Sequence, residues 1–291
     1  MNGKTMKIKA KKKILIPLDS SETSLLALAP AKGLAKLLGM ALHALYISDE
    51  ELTKDELIKK VGLHDEDLPK IMLNHKSGCI EDVILEESKT ADFVIMSSHG
   101  ETCNKEKLAG STTIKIMENI DVPLIIIKPE IVVSLEEGFW KPKKILIPLN
   151  GSMGAAQALA PVMNIISKIQ SHIDLLHISS SVSCQETETA REEGTFTAPY
   201  YQDYQHHEWK LWEKEFMRRF YEIMRENNVK TTLKLTHSTG EPAEEIIKFA
   251  LENDIDFIAL AWHGNMGHLH AVTMQKVLSK TPCPILLVKI K

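Results

Sequence analysis

The stretch KKILIPLDSS occupies residues 12–21, and it returns as KKILIPLNGS at residues 143–152. Eight of the ten positions are identical, at an offset of 131 (143 − 12). Near the end of each copy, ADFVIMSSHG at residues 91–100 is matched by IDFIALAWHG at residues 255–264, at an offset of 164 (255 − 91). The chain therefore predicts one fold used twice, with 33 additional residues (164 − 131) inside the second copy.

The opening run of each half is short, apolar and partly β-branched, which predicts a strand buried on both faces. In the first half the same patterns predict strands at 14–18, 41–47, 71–74, 92–96 and 122–128. Helices are predicted between them at 20–38, 49–61, 80–88 and 111–119, with Pro30 expected to kink the first helix or displace its start. Strands that alternate with helices predict an α/β fold. We expect two tandem doubly wound domains, each with a five-stranded parallel sheet and helices on both faces.

Two domains are expected, at residues 1–137 and 138–291, joined by a linker at 129–141 that carries proline, glycine and charged residues. The additional segment of the second half lies near 179–207 and is rich in Ser, Thr and Glu. It has no clear period, so it predicts a surface excursion. An amphipathic helix is predicted after it, at 209–227.

Composition excludes several classes of protein. The net charge is −4 and charges of both signs are interspersed, which gives no reason to expect nucleic acid as the main partner. The lysine-rich tail before the first strand has no apolar stretch, so no signal peptide is expected, and no apolar run is long enough to span a membrane. The four cysteines are widely spaced without a C-x-x-C pair. This spacing predicts a reduced, cytoplasmic protein.

Ligands of parallel α/β sheets bind at the carboxyl ends of the strands, near the point where the strand order reverses. That rule selects Pro17, Leu18, Asp19, Ile47, Ser48, His75 and residues 97–100. After the fourth strand the chain reads Ser97-Ser98-His99-Gly100, then nine residues, then Gly110-Ser111-Thr112.

Gly100 and Gly110 are expected to let the backbone approach a ligand closely and to adopt positive φ. The second glycine opens a helix whose free amides, positive dipole end and hydroxyls suit a phosphate. Asp19 can accept a hydrogen bond from an adenine amino group or a ribose hydroxyl. There is no G-x-x-x-x-G-K-[ST] and no G-x-G-x-x-G, which excludes those nucleotide-binding modes. The chemistry alone leaves a plain turn followed by a helix cap open as the alternative.

The chain resembles a tandem universal stress protein, over nearly all of both halves. The matching features are Pro17, Asp19 and Ser21 after the first strand, Ala91-Asp92 before the fourth, and the family's signature of G-x-x-G, nine residues and G-[ST]. That signature is met at Ser97-x-x-Gly100, nine residues, Gly110-Ser111, with Ser97 in place of the first glycine. The resemblance implies that the first half binds ATP or another adenine nucleotide, that Asp19 contacts the adenine, and that the protein acts by binding in a stress response.

The nucleotide-binding residues predicted on this basis are Pro17, Leu18, Asp19, Ser20, Ile47, Ser97, His99, Gly100, Gly110, Ser111 and Thr112. No catalytic residue is predicted, and Mg²⁺ is a candidate companion of the nucleotide. Occupancy is expected to order the loop at 101–109 and so to change the surface offered to a protein partner whose identity the sequence does not give. Two alternatives stay open. One is a slow ATPase or phosphotransferase, and the other is a nucleotide-free interaction scaffold with a metal-binding second domain.

The second half departs from the signature. Asn150 replaces Asp19, Ala261-x-x-Gly264 keeps only the second glycine, and nine-residue spacing makes Met274-Gln275 the counterpart of Gly110-Ser111. A bulky methionine where a phosphate needs bare backbone predicts that this half has lost ordinary ATP binding.

Histidines accumulate in the second half instead. His177, His237 and His263 are predicted at the carboxyl edge of its sheet, where neutral imidazoles can converge on zinc. His206, His207, His268 or His270 would complete the shell. The alternative is inherited architecture, since His75 and His99 occupy the places of His237 and His263 in the first half.

The last strand of each half, at 122–128 and 284–289, is strongly apolar, and an exposed edge of this kind invites pairing. The resemblance implies that these two strands pair within one chain. The alternative is that each edge is covered by its own linker. A homodimer is left open.

Overall fold

A computed structural model describes residues 12–64, 68–100, 108–131, 133–136, 139–149, 171–179, 232–266 and 269–289, together with residues 218, 222 and 225. The first half consists of β1 (Lys13–Leu18), α1 (Glu22–Leu25), α2 (Leu28–Leu38), β2 (Ala41–Ile47), α3 (Lys54–Lys60), β3 (Ile71–Lys76), α4 (Ile80–Ser88), β4 (Phe93–Ser97), α5 (Ser111–Asn119) and β5 (Leu124–Ile127). A hairpin follows, β6 (Leu135–Glu136) and β7 (Phe139–Trp140). The second half contributes β8 (Lys144–Leu149), β9 (His172–Ser179), β10 (Thr232–Thr239), α6 (Pro242–Glu252), β11 (Phe257–Trp262), α7 (Leu269–Lys280) and β12 (Ile285–Lys289).

Ten of these strands form one sheet in the order β10-β9-β8-β11-β12-β5-β4-β1-β2-β3. Within each half the neighbouring strands are parallel, and the halves meet where β12 runs antiparallel to β5, with Ile285 opposite Ile126. The predicted pairing of the two last strands is therefore confirmed. The predicted doubly wound α/β fold is confirmed as well, with both copies joined into a single sheet.

The central strands of the sheet are buried on both faces, as their apolar sequences predict, whereas the edge strands β3 and β10 are partly exposed. In β1, Ile14 and Ile16 point into a core covered by α2 and α3, while Leu15 points into the opposite core. That second core is covered by α4, α5, α6 and α7, and it runs without interruption past the β5–β12 seam. The two halves consequently share both of their hydrophobic cores.

The helix expected at 20–38 is two helices, α1 and α2, separated at residues 26–27. Pro30 is the physical reason, because its ring removes an amide donor and clashes with the carbonyl four residues earlier. Proline is tolerated within the first turn, and Pro30 is the third residue of α2. The helix has thus been restarted so that Pro30 falls where its missing amide needs no partner.

The linker packs against both halves. Trp140 is 2% exposed and meets Phe257 edge-on, with ring centroids 5.2 Å apart. Gly33 of α2 lies so close to the backbone of Trp140 that a Cβ there would collide with it. The proposed boundary at 137/138 falls in this hairpin, on two residues outside the described ranges, and it stays a prediction.

The predicted excursion at 179–207 and the helix at 209–227 fall almost entirely outside the described residues, as does Asn150. Most of the loop at 101–109 does so too. Among the helices that are described, none is long and apolar enough to cross a membrane.

Candidate functional site

A cavity of about 310 Å³ opens at the carboxyl ends of β1 and β4, where the strand order of the first half reverses. Every residue predicted for the nucleotide site lines it except Ser20. Ser20 follows Asp19 but adopts a left-handed conformation with φ 68°, and its buried Oγ has no hydrogen-bond partner among the described residues. Inclusion of Ser20 in the lining was therefore wrong.

Asp19 is fixed in orientation by the turn that follows β1. Its Oδ1 accepts hydrogen bonds from the backbone N–H of Ser21 at 3.1 Å and from the hydroxyl of Ser21 at 2.5 Å. The Ser21 hydroxyl in turn caps α1 by accepting from the N–H of Ser24 at 3.0 Å. The other carboxylate oxygen, Oδ2, lies against Gly100, where a Cβ would collide with it. The helix cap thus also places a carboxylate in the cavity.

The two glycines of the loop matter because they have no side chain, and not because of an unusual backbone conformation. Gly100 has the close approach that was expected, but it is not among the glycines with positive φ. Gly110 has φ −63° and ψ 154°, an extended conformation open to any residue. The expectation of positive φ was wrong at both positions, because Gly110 is the N-cap of α5 and N-cap residues have extended backbones.

The amino end of α5 has features that suit the binding of an anion. Gly110 has no side chain to cap the helix, and no side-chain cap is present. Its own N–H donates to the Ser98 carbonyl at 2.8 Å, which fixes where the helix starts. The unpaired amides of the first turn, the positive end of the helix dipole and the hydroxyls of Ser111 and Thr112 therefore border the cavity.

Ser97, which replaces the first glycine of the signature, accepts a hydrogen bond through Oγ from the N–H of His99 at 3.3 Å. The Thr113 hydroxyl donates to the carbonyl of Ser97 at 3.4 Å. His99 is 2% exposed, and its Nδ1 lies 2.7 Å from the hydroxyl of Ser98. The serine thus engages a backbone amide at the cavity wall and contributes to a fixed loop.

The sequence reasoning missed part of the lining, namely Ser24, Leu45, Ile80, Ile84, Met96 and Thr113. Leu45 was detectable, because it lies two residues before Ile47 on one strand and so shares its face. Ile80 and Ile84 were detectable as well, as an i, i+4 pair at the start of α4. The apolar side chains among them come from β2, β4 and α4, whereas Ser111 and Thr112 line the cavity from the amino end of α5.

Charge is sparse around the cavity. Within the described lining, Asp19 is the only carboxylate and neither lysine nor arginine occurs. Lys105 and Lys107 lie outside the described residues. The two flanking helices are joined by an ion pair, in which Lys115 Nζ of α5 lies 3.0 Å from Glu81 Oε1 of α4. The hydrogen bond from Lys115 lowers the pKa of Glu81.

Two lysines reveal how the second half aligns with the first. Lys289 Nζ donates to the carbonyl of Glu118 in α5 at 2.7 Å, and Lys128 Nζ donates to the carbonyl of Ser279 in α7 at 2.5 Å. Both donors and both acceptors are related by an offset of 161 (289 − 128 and 279 − 118). At that offset Gly110 and Ser111 correspond to Ala271 and Val272. The earlier assignment of Met274-Gln275 was wrong, because the loop before α7 is three residues shorter (164 − 161).

The start of α7 is not at the position that matches the start of α5. Because α7 begins at Leu269, the amide of Val272 falls in the fourth position of the helix. An amide there pairs with the carbonyl four residues earlier and does not point at a ligand. Met274 is 4% exposed and packs into the shared core. These features support the prediction that this half has lost ordinary ATP binding.

The three histidines proposed as zinc ligands do not assemble. His177 and His237 are neighbours, with ring centroids 5.6 Å apart, but His263 is exposed at the end of β11. The described residues contain no group of three or more His, Cys, Asp or Glu side chains that could hold a metal. His206, His207 and His268 lie outside those residues, as does the side chain of His270. The set as named was therefore wrong.

The histidine pair has a structural precedent in the first half. Strand registers place His177 opposite His237 just as Tyr46 lies opposite His75, whose ring centroids are 5.7 Å apart. Burial, followed by the charge of His237, lowers the pKa of His177 to about 4. Facing rings therefore occur at these positions in both halves, with an imidazole at residue 177 where the first half has the phenol ring of Tyr46.

The Ala-Asp feature before the fourth strand lies at the opposite end of the sheet from the cavity. Asp92 accepts from the N–H of Lys13 at 3.0 Å, and Asp256 accepts from the N–H of Lys143 at 2.8 Å. Burial raises the pKa of Asp256. Each aspartate ties the start of one strand to the start of its neighbour, so the match at this position reflects the fold.

Comparisons with known proteins agree with this architecture. The profile of the Universal stress protein family matches residues 11–128 and 141–289. Two relatives from Methanocaldococcus jannaschii are similar to the chain: Universal stress protein MJ0531, 30% identical over 139 residues (40% of this chain and 82% of that protein), and Universal stress protein MJ0577, 28% identical over 157 residues (40% and 94%). The crystal structure of a universal stress protein from Archaeoglobus fulgidus covers 96% of this chain and 99% of its own, with a TM-score of 0.63 and 18% identity.

Proposed function

Because the chain belongs to the Universal stress protein family, we propose that its first half binds an adenine nucleotide, ATP in particular, in the cavity between β1, β4 and α5. One observation carries the proposal. A single cavity joins an apolar wall, a fixed carboxylate at Asp19 and the uncapped amino end of α5. The apolar wall suits the base of a nucleotide, Asp19 suits the polar edge of the base or the ribose, and the amino end of α5 suits the phosphates.

The base would lie against the apolar wall formed by Leu45, Ile47 and Met96 of the strands and by Ile80 and Ile84 of α4. Asp19 is an acceptor, since a carboxylate has no proton to donate near neutral pH. It therefore suits the amino group of adenine or a ribose hydroxyl. Guanine presents a carbonyl oxygen where adenine presents that amino group, which predicts selection against GTP.

The phosphates would lie at the amino end of α5, beside the bare backbone of Gly100 and the hydroxyls of Ser111 and Thr112. The described lining has no cationic side chain, so helix amides and the helix dipole would supply the attraction there. A Mg²⁺ ion bound to the nucleotide would offset the remaining charge.

Binding rather than rapid catalysis is the activity we propose. His99 is buried and its Nδ1 is engaged by Ser98, so the histidine closest to the phosphate end does not present that nitrogen as a base. The protein would act in a stress response through the surface that it offers when nucleotide is bound. A cytoplasmic location, an unidentified protein partner and a homodimer stay predictions from the sequence.

The proposal is tested by thermal unfolding of the full chain with ATP and Mg²⁺, with GTP as the comparison, and by denaturing mass spectrometry of nucleotide retained through purification. Ligand at a hundredfold excess over its dissociation constant stabilises the native state by about 2.7 kcal/mol. We expect a clear rise in Tm with ATP and a smaller one with GTP. Unchanged Tm at millimolar ATP, together with no retained nucleotide, would show that the site is silent.

A further inference from the structure

Helix α5 is held at both ends by different halves of the molecule. Its amino end borders the nucleotide cavity of the first half. At its carboxyl end, Lys289 of β12 donates to the carbonyl of Glu118 at 2.7 Å, and the N–H of Met266 donates to Oε1 of Glu118 at 3.1 Å. Both donors belong to the second half, so one residue of α5 receives two hydrogen bonds across the seam between the halves.

The loop that makes this contact is the counterpart of the nucleotide loop. Gly264 corresponds to Gly100, but its neighbour is different. A Cβ at Gly264 would collide with the side chain of Lys289, whereas a Cβ at Gly100 would collide with Asp19. Gly264 also has φ 73°, a conformation that favours glycine. In the second half, the loop that would face a ligand is packed around the lysine that holds α5.

The connection is not symmetric. Lys128 makes the same carbonyl contact with α7 at Ser279, but Ser279 has no carboxylate to accept a second bond from the loop of the first half. Only the contact on α5 reaches a helix whose other end borders the cavity. The two lysines therefore provide a matched pair of sites for mutation. Lys289 bonds to α5, which borders the proposed ligand, and Lys128 makes the same bond to α7, for which no ligand is proposed.

We propose that Lys289 and Glu118 are positioning residues for the nucleotide site, through which the second half sets the affinity of the first. The inference rests on the proposed function. At 1.5 Å per residue the nine residues of α5 span roughly 13 Å, so a shift at one end is carried to the other by a rigid element. Ile116 and Met117 of this helix are fully buried in the core shared by both halves, so the helix moves with that core.

The inference gives the second half a role after its own anion site has gone. Met266 of its loop and Lys289 of β12 supply the contacts on α5 that place the amides of Ser111 and Thr112 relative to Asp19. Lysine at the carboxyl end of a helix also complements the dipole that attracts an anion at the amino end. Over the length of α5 this field is weak, so the effect depends mainly on position.

The test compares Lys289→Met with Lys128→Met in the full chain, by titration with ATP and Mg²⁺. Each variant removes one lysine-to-carbonyl bond across the seam, so we expect similar losses of Tm. The dissociation constant for ATP should rise about fivefold in Lys289→Met, at the low end of typical coupling between sites, and stay unchanged in Lys128→Met. Lys289→Arg, which keeps a donor at the same place, should restore most of the affinity.

Hydrogen exchange without ATP supplies a second readout. The amides of α5 should exchange faster in Lys289→Met than in Lys128→Met, and those of α7 should show the reverse. Equal ATP affinity in the two methionine variants would overturn the inference and leave the proposed function intact. An equal loss of affinity in both would overturn it too, since this would indicate general destabilisation. No binding by the wild-type protein would overturn both proposals together.

Discussion

The carboxylate of Asp19 lies against the backbone of Gly100, so closely that any side chain at residue 100 would displace it. Asp19 directly follows β1 and Gly100 lies three residues after the end of β4, and the strand order of the first half reverses between these two strands. Residue 100 therefore has to be glycine because the Asp19 carboxylate leaves no room for a side chain, and not because the backbone there has positive φ. This contact links the first strand to the loop that leads into α5, and a single methyl group at residue 100 would disturb it.

Replacement of Gly100 by alanine should destabilise the protein by about 2 kcal/mol, because the new methyl group overpacks against the carboxylate. The backbone there does not need glycine, so the loss should depend on Asp19. A double-mutant cycle with Asp19→Ala, measured by chemical denaturation, checks this. Gly100→Ala should have an effect near zero in the Asp19→Ala background. An undiminished loss there would show that Gly100 is needed for another reason.

The double variant Gly110→Ala, Ser111→Val gives the first half the residues of the second at the structurally matched positions, Ala271 and Val272. We expect it to fold and to lose most of the Tm rise caused by ATP, because a methyl group enters the phosphate end and one hydroxyl is removed. Differential scanning fluorimetry with and without ATP provides the measurement.

The reciprocal variant Ala271→Gly, Val272→Ser is the control. It should not create a second ATP site, since α7 begins at Leu269 and the introduced serine would fall in the fourth position, where the amide is paired within the helix. A second ATP bound per chain, detected by native mass spectrometry, would contradict this account of how the site was lost.

Ser20→Gly should stabilise the protein by about 1 kcal/mol. Ser20 has φ 68°, a left-handed conformation that disfavours any residue with a Cβ, and its buried hydroxyl lacks a partner among the described residues. The larger conformational entropy of glycine in the unfolded chain offsets part of the gain. The second half already has glycine at the matched position, Gly151. Ser20→Ala, which keeps the strained backbone, should gain less by urea denaturation. A loss of stability in Ser20→Gly would refute the prediction.

The buried His177 should make stability fall in mild acid. Its pKa is about 4 in the folded protein and near 6.5 when unfolded, so between these values the unfolded chain binds more protons and stability is lost as the pH falls. The linkage amounts to about 2 kcal/mol between pH 7 and pH 5. His177→Tyr, which restores the residue found at Tyr46, should reduce that loss by the same amount. Urea denaturation of both proteins at the two pH values measures it, and equal losses would show that His177 is not the group responsible.

Local pattern was sufficient for much of the fold. The offset repeats, the apolar β-branched runs and the Gly-Ser helix start predicted element types and a doubly wound sheet, because burial on two faces and helix capping are properties of short segments. The strand-end rule and the Gly-Ser-Thr helix start together selected ten of the sixteen residues that line the cavity, from Pro17 to Thr112. The apolar contribution of α4 was not predicted, since Ile80 and Ile84 lie on a helix and a rule about strand ends does not select helical residues.

The sequence by itself determined that two copies of one parallel α/β unit are present, and that the first retains the spacing of an anion-binding helix start. The tertiary structure decided what each copied residue does. The contacts of Lys128 and Lys289 across the seam, not the spacing of glycines, show that Ala271 matches Gly110. His263 is exposed, whereas its counterpart His99 is buried. The expected cluster of three histidines therefore does not form. The physical reason is that these lysine contacts join residues far apart in the sequence, 151 residues for Lys128 and Ser279 and 171 for Lys289 and Glu118, which no local pattern records.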